Sequence, residues 1–181
     1  MPPSYFPLRV GASWVYTVAS PFQRIVKVSV EPQTEIEVED LATNVTRPER
    51  AWVLREDDAQ EPIYAVVGEH GVRILRTRRF GTPSHTAIVL QEDLRWGGAP
   101  TWSRPSLYYG HLSTVRYERV GEEDLIVTAG RFRCLKILID EGEAGAVWLA
   151  PGVGIVREAH ILEGIDRYSV VELGSPPSGL D

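Results

Sequence analysis

The chain has 181 residues, of which 43% are hydrophobic, and a formal net charge of −6 at pH 7. This length is sufficient to bury a core without disulfides or metal ions. No apolar run approaches the ~20 residues of a membrane-spanning helix. The acidic balance excludes nucleic acid as an expected partner, because phosphate binding needs a basic face. The one dense basic run, residues 76–79, is interpreted as a solvated strand end.

Three stretches near the N-terminus alternate between apolar and polar residues with the period of two that is typical of strands. They cover residues 13–18, 22–30 and 34–39. In the first stretch, Trp14, Tyr16 and Val18 share one face. In the third, Ile36 and Val38 alternate with glutamates, so the sheet is expected to have one face in water.

Residues 46–56 are open to two interpretations. Thr46-Arg-Pro-Glu49 resembles a helix capping box, which would begin a short helix at Pro48. The following residues 50–55 are few and rich in β-forming side chains, which favours a strand. Asn44, which precedes this stretch, is expected in a turn.

Glycine-bearing breaks predict hairpins further along the chain. Residues 62–67 and 72–76 flank the loop Gly68-Glu-His-Gly71. Residues 114–120 and 125–128 flank Gly121-Glu-Glu-Asp124, which is likewise predicted to be a hairpin turn. Between these hairpins, residues 86–90 form either another strand or a short buried helical turn.

Residues 91–110 lose the strand period. They contain two glycines, two prolines and the aromatic residues Trp96, Trp102, Tyr108 and Tyr109 before a final glycine. A long aromatic loop in a compact domain suggests a lid or a binding segment. The alternative is an aromatic plug that covers one end of the core.

Three apolar runs between residues 127 and 173 predict consecutive antiparallel strands. The sharpest break is Ala150-Pro-Gly-Val-Gly154, where Gly152 and Gly154 can adopt the positive φ of a tight turn. Trp148, in the strand before this turn, is expected to be buried against Trp14 or Tyr16. The reason is that a curved sheet brings the first and last strands of the chain together.

No motif for catalysis, metal binding or phosphate binding is found. The four histidines have no ligand-like spacing, and there is no nucleophile elbow. Gly152-Val-Gly154 precedes a strand rather than the helix that a phosphate loop needs. The single cysteine, Cys134, excludes an intramolecular disulfide and is expected to be a half-buried core thiol. No cofactor, metal or catalytic residue is therefore predicted.

Aromatic residues remain as the candidate functional set. They could line the concave face of a curved sheet and hold an apolar ligand, or they could be plain core. The predicted ligand-binding residues are Trp14, Tyr16, Trp52, Tyr64, Trp102, Tyr108, Phe132 and Trp148.

The two ends of the chain resemble bacterial envelope proteins grouped with the periplasmic lipoprotein carrier and the outer-membrane lipoprotein receptor, the LolA/LolB-like superfamily. The motifs are Tyr5-Phe-Pro-Leu-Arg-Val-Gly-Ala-Ser-Trp-Val-Tyr16, Val127-Thr-Ala-Gly-Arg-Phe132, Cys134-Leu-Lys136 and Trp148-Leu-Ala-Pro-Gly-Val-Gly-Ile-Val156. The resemblance implies an incomplete antiparallel β-barrel closed by short helices, with a concave face that holds acyl chains. It assigns no individual contact residue. There is no lipid-acceptor cysteine near the N-terminus, and membrane attachment is not predicted.

The predicted fold is mainly β: a single strongly curved antiparallel sheet of roughly nine to eleven strands, with short helices or loops covering its concave face. Residues 1–174 are expected to form one domain, and residues 175–181 a flexible tail.

The favoured function is non-catalytic binding of a lipid, an acyl chain or a lipoprotein in the bacterial envelope. The alternatives are an interaction scaffold with a filled core and functional loops, and a small-molecule enzyme that uses the same cavity. Location depends on a signal segment: the periplasm or outer envelope if one has been removed, and the cytoplasm otherwise.

Overall fold

The computed structural model describes residues 5–19, 23–57, 59–80, 85–108, 111–140, 144–162 and 167–180. In these ranges all regular secondary structure is β-strand, and no helix occurs. The strands are β1 (Ser13–Ala19), β2 (Gln23–Asp40), β3 (Val45–Glu56), β4 (Ile63–Val67), β5 (Gly71–Phe80), β6 (His85–Arg95), β7 (Thr101–Tyr108), β8 (His111–Val127), β9 (Gly130–Asp140), β10 (Ala144–Ala150), β11 (Gly154–Leu162) and β12 (Arg167–Ser178). The predicted mainly β fold is confirmed.

The twelve strands form one curved sheet that is not closed into a barrel. Each strand pairs antiparallel with the next along the chain, from β1 to β6 and again from β7 to β12. The first and last strands also pair, through partners such as Thr17 and Glu172, as the sequence predicted. β6 and β7 are consecutive in the chain, yet no ladder joins their described residues.

β2 is long enough to contribute to two parts of the sheet. Its residues 23–29 pair with β1, and its residues from Val28 to Asp40 pair with β3, with a register shift between Glu31 and Thr34. Near its end, Val38 and Glu39 also pair in parallel with β6. The two predicted strands at residues 22–30 and 34–39 are therefore one bulged strand.

Two clusters of buried side chains lie on opposite faces of β5. Ile74 belongs to the main cluster, which also contains Trp14 and Trp148. The adjacent Leu75 belongs to a smaller cluster with Ile36, Val38 and Ala51. Neighbouring residues of a strand point to opposite faces, so β5 separates the two clusters. The inward direction predicted for Ile36 and Val38 is confirmed.

Several local predictions are confirmed. Residues 62–76 form the β4–β5 hairpin, and both uncertain stretches, at residues 46–56 and 86–90, are strands rather than helices. Asn44 is in a turn with a φ of 53°. Gly152 and Gly154 have φ of 71° and 99°, and the strands they join are paired.

The predicted loop at residues 91–110 is wrong. β6 continues to Arg95 and β7 begins at Thr101, so the connection covers only residues 96–100. Pro105 lies within β7, where it pairs with Thr114. A proline is tolerated because β7 is an edge strand, whose outer side needs no backbone N–H donor for a ladder. Tyr109 lies outside the described residues.

The predicted hairpin at residues 121–124 is also wrong, because β8 runs without interruption through Gly121. Gly121 has a φ of 140° and lies at a register shift relative to β9, which makes it a bulge rather than a turn. The carboxylates that follow it, Glu122 and Asp124, form ion pairs with Arg133 across the strand pair.

At the C-terminus, β12 extends beyond the predicted boundary at Gly174. Ser175 and Ser178 pair with Val15 and Ser13 of β1. Twelve described strands thus replace the roughly nine to eleven expected, partly because the segment predicted as a loop contains β7.

Candidate functional site

The concave side of the sheet encloses a cavity of about 480 Å³. Side chains from β1 to β6 and from β10 to β12 line it, together with Phe6 from the segment that precedes β1. Because these strands come from both halves of the chain, the cavity exists only when β1 and β12 have paired.

One part of the cavity lining is apolar and contains Trp14, whose indole N–H is hydrogen-bonded. Trp14 is 4% exposed, and its Nε1 donates a hydrogen bond of 2.6 Å to the carbonyl of Val153. The ring of Phe6 stacks on it with centroids 6.5 Å apart. The other apolar side chains of this base are Leu54, Ile63, Ile74, Leu94, Val147 and Ile155.

Tyr16 stands between the apolar base and the polar part of the cavity. Its hydroxyl donates a hydrogen bond of 3.1 Å to the carbonyl of Ile155. Burial, and secondly the charge of Glu158, raise the pKa of Tyr16 above its ordinary value. The phenol therefore stays neutral and acts as a fixed donor, since its one proton is committed to the backbone of β11.

Charged residues also line the cavity, and we call Arg24, Arg78, Glu158 and His160 the rim. His160 and Glu158 are 2.5 Å apart, and Arg78 donates to the side chain of Gln91. Half-buried Arg76 and Glu56, which also line the cavity, form an ion pair of 3.6 Å.

Side chains, rather than a backbone ladder, bridge β6 and β7. Trp102 Nε1 donates to the carbonyl of Asp93 at 2.8 Å, and Arg104 donates to the carbonyl of Gln91. We call this junction the seam and define it by Gln91, Asp93, Trp102 and Arg104. Arg104 is 4% exposed, so the guanidinium is a buried charge held by several acceptors.

The seam is connected to the cavity through Tyr117. Arg104 Nε donates to the Tyr117 hydroxyl at 2.8 Å, and that hydroxyl donates at 2.9 Å to Glu92, which lines the cavity. The ring of Trp102 stacks on Tyr117 with centroids 5.4 Å apart. Burial, and secondly Glu92, raise the pKa of Tyr117, so its hydroxyl is protonated and serves both neighbours.

The structure separates the predicted ligand-binding residues. Trp14 and Tyr16 line the cavity. Trp52 and Phe132 are half-buried and pack against the main cluster, and Tyr64 packs against the smaller one. These three side chains thus contribute to packing.

The remaining members of that set lie elsewhere. Trp102 belongs to the seam, and the side chain of Tyr108 lies outside the described residues. Trp148 is buried, as predicted, but its neighbour Val147 lines the cavity, so Trp148 points to the other face of β10. There its ring lies between Lys136 and Arg157, at 5.1 and 5.3 Å, rather than against the aromatic residues of β1.

Sequence reasoning missed the rim as a functional feature, although a signal was present. Arg24 interrupts the apolar row of β2, and Arg76 and Arg78 continue the row of Ile74 at period two. Each of these positions predicts a charged side chain on an inward face. The seam gave no such signal, because nothing local shows that Arg104 is buried.

A second depression, of about 580 Å³, lies across β7 to β10 and is lined by residues that include Trp102, Arg116, Glu118 and Asp140. It is formed by four neighbouring strands and is more open to solvent than the concave cavity. Within the described ranges, no group of three or more His, Cys, Asp or Glu residues could hold a metal ion. Nor does any helix there have the length and apolar character to cross a membrane.

No family model and no curated protein matches the sequence. Two solved structures match the structure of this chain. A Bacteroides fragilis protein assigned as exported, with a YmcC-like fold, has a TM-score of 0.51 and 13% identity, over 96% of this chain and 98% of that one. A Parabacteroides distasonis protein assigned as a lipoprotein has a TM-score of 0.44 and 13% identity over the same shares. The first of these likenesses shows that this chain shares the YmcC-like fold.

Proposed function

We propose that the protein is a non-catalytic binding protein that holds an acyl chain, free or attached to a partner, in its concave cavity. The observation that carries this proposal is the cavity of about 480 Å³, which neither the core nor the aromatic residues fill. Small-molecule sites typically enclose roughly 300–1,000 Å³ with a mostly apolar lining and a few polar groups.

The anchoring of the aromatic wall supports binding rather than simple packing. Trp14 and Tyr16 each donate to a backbone carbonyl near the β10–β11 turn, those of Val153 and Ile155. Their polar atoms are thereby satisfied, and neither ring needs to rotate into the cavity to find a partner. A wall held in this way is preorganised, which lowers the ordering cost of ligand binding.

A location in the bacterial envelope is part of the proposal. The Bacteroides fragilis protein that shares the fold is assigned as exported, which supports this location. Membership of the lipoprotein carrier and receptor superfamily is proposed on the same basis, together with the N- and C-terminal motifs. All of residues 1–174 are assigned to one binding domain.

Native mass spectrometry and lipid extraction of the purified protein test the proposal first, followed by titration with a fluorescent acyl probe. We expect saturable binding with a Kd on the order of micromolar, about −8 kcal/mol. Val28 is half-buried and lines the cavity beside Trp14, so Val28→Glu should weaken binding at least about tenfold by placing a charge on the acyl path. Ile25, on the same strand, is 71% exposed, and Ile25→Glu serves as the matched control.

Circular dichroism of both variants distinguishes loss of the site from loss of the fold. If the protein carries no lipid and binds no acyl probe, the cavity has no ligand of this class. The scaffold alternative, with function on exposed loops, would then replace the binding proposal.

A further inference from the structure

We propose that the cavity accepts one acyl chain of at most about sixteen carbons, and that Phe6 sets this length limit. This inference rests on the proposed function and adds the size of the ligand and the residue that selects for it. It follows from the volume of the cavity and from the position of residues 5–8, which precede β1 and which we call the closing segment.

The volume of the cavity limits the size of the ligand. A methylene group is about as large as the ~30 Å³ share of one water molecule in the liquid, so a cavity of about 480 Å³ holds at most about sixteen of them. A second acyl chain of the same length would need as much volume again. The cavity is therefore large enough for one long acyl chain and too small for two.

The closing segment lies at the end of the sheet where β1 and β11 begin. Both strands pair antiparallel with β12, so they run in the same direction and start at the same end. The ring of Phe6 stacks on Trp14, the second residue of β1. A β-carbon placed on Gly154, the first residue of β11, would lie 3.7 Å from the same ring. Phe6 therefore contacts both strands at the end of the cavity where they start.

The closing segment also reaches the strands of the other half of the lining. The ring of Tyr5 stacks on Trp96, the first residue after β6, with centroids 5.8 Å apart. β6 contributes Leu94 to the lining and does not pair with β1. The two ring stacks thus connect the start of β1 with the end of β6, and the closing segment spans the end of the cavity between them.

Phe6 differs from the rest of the lining in how it is held. Among the described residues that line the cavity, Phe6 alone lies outside a strand. Within the described ranges, residues 5–8 make no backbone–backbone hydrogen bond, so packing of Tyr5, Phe6 and Leu8 holds the segment in place. Phe6 is buried, and its ring occupies volume that an alkyl chain could otherwise take. A substitution at Phe6 therefore changes the length of the cavity without removing a ladder hydrogen bond.

A closed end predicts a break in the dependence of affinity on chain length. Each methylene that is buried strengthens binding about fourfold. Affinity should therefore rise with every added carbon until the alkyl end meets Phe6. Beyond that length, further methylenes stay in water and add nothing to binding.

The experiment is competition against a fluorescent acyl probe with saturated fatty acids from octanoate to octadecanoate, each kept below its critical micelle concentration. We expect affinity to rise about fourfold per carbon and to level off at or before hexadecanoate. In Phe6→Ala the break should move to longer acids. The affinity for octadecanoate relative to octanoate should then rise about tenfold, which corresponds to about two newly buried methylenes. Phe6→Leu removes less volume and should give a smaller shift in the same direction.

Phe132→Ala is the matched control, because Phe132 is half-buried against the main cluster and does not line the cavity; its break should stay at the wild-type length. Circular dichroism checks that all three variants are folded. An affinity that never levels off, or a break that stays in place in both Phe6 variants, would overturn the length limit while the proposed function stands. Native mass spectrometry at saturating hexadecanoate should show one acid per protein, and two would overturn the single-chain limit. Failure of every acid to bind would overturn the proposed function itself.

Discussion

Replacing Tyr117 by Phe tests how β6 and β7, whose described residues share no backbone ladder, are held together. The Tyr117 hydroxyl accepts a hydrogen bond from Arg104 and donates one to Glu92, at 2.8 and 2.9 Å, and the residue is 2% exposed. Tyr117→Phe removes both bonds and keeps the ring that stacks on Trp102. The change therefore isolates the polar part of the connection between β6, β7 and β8.

The expected loss is about 2 kcal/mol of unfolding free energy. A hydrogen bond to a charged group contributes roughly 1.5–3 kcal/mol, and a buried donor left without a partner adds to the loss. Two features reduce it: Arg104 keeps its bonds to the carbonyls of Pro105 and Gln91, and Glu92 lines a cavity that water can enter. For a chain of this size, about 2 kcal/mol lowers the Tm by roughly 4–8 °C.

Urea unfolding measures the loss of unfolding free energy in Tyr117→Phe, and Tyr64→Phe is the matched control. The Tyr64 hydroxyl makes no hydrogen bond within the described residues, so that variant should change stability by less than about 0.5 kcal/mol. Hydrogen exchange gives the location: amides of β7 should exchange faster in Tyr117→Phe, and those of β10 should not. If the two tyrosine variants have equal stability and β7 stays protected, the polar network does not hold the seam.

Three further substitutions test local features. Gly154 has a φ of 99°, so Gly154→Val should lower the free energy of unfolding by more than about 1 kcal/mol. Gly68 has an ordinary φ, so Gly68→Ala is the control and should cost less; urea unfolding measures both variants. In the same assay, Trp148→Ala should lower the free energy of unfolding by roughly 3–5 kcal/mol, and Trp148→Phe should lower it clearly less. Equal losses in the two variants would contradict burial of the whole indole. Burial is the main cause that raises the pKa of the Cys134 thiol from 9.0 to about 11, and the negative charge of Glu123 is the second. The unfolded thiol ionises first, so stability should fall between pH 9 and 11, and less steeply in Cys134→Ala.

The sequence was sufficient to predict the fold class because strand periodicity is a local property. Alternation at Trp14 to Val18 and at Ile36 to Val38 reports which residues share a face. The glycines at 152 and 154 report where the chain must reverse. Neither signal requires knowledge of the pairing partner, and both predictions are confirmed.

The two wrong elements share one physical cause. Pro105 and Gly121 are residues that end or turn a strand in most contexts, but an edge strand tolerates proline and a bulge needs glycine. Which of these applies depends on whether a neighbouring strand lies alongside, and that information is not local. Pairing with β8 decides the role of Pro105, and pairing with β9 decides that of Gly121.

The candidate site was harder to predict because parts of the sheet are buried on both faces. On β10, Val147 and Trp148 are 1% and 8% exposed, yet only Val147 lines the cavity. A large aromatic residue on a strand therefore does not show which face it occupies. Arg24 carried more information, since a charge on an otherwise apolar face needs access to water.

The inward charges suggest a last test, because packing alone would favour aliphatic residues at these positions. Glu56 and Arg76 form a half-buried ion pair inside the cavity. Glu49 and Arg73 form an ion pair of nearly equal exposure on the same two strands, but this pair does not line the cavity. Replacing a paired charge by leucines is often neutral or stabilising. Glu56→Leu/Arg76→Leu should therefore leave stability unchanged or raise it by up to about 2 kcal/mol, and it should tighten acyl binding because the cavity lining becomes more apolar. Glu49→Leu/Arg73→Leu should leave binding intact. Equal acyl affinity in the two double variants would show that the cavity is not the site.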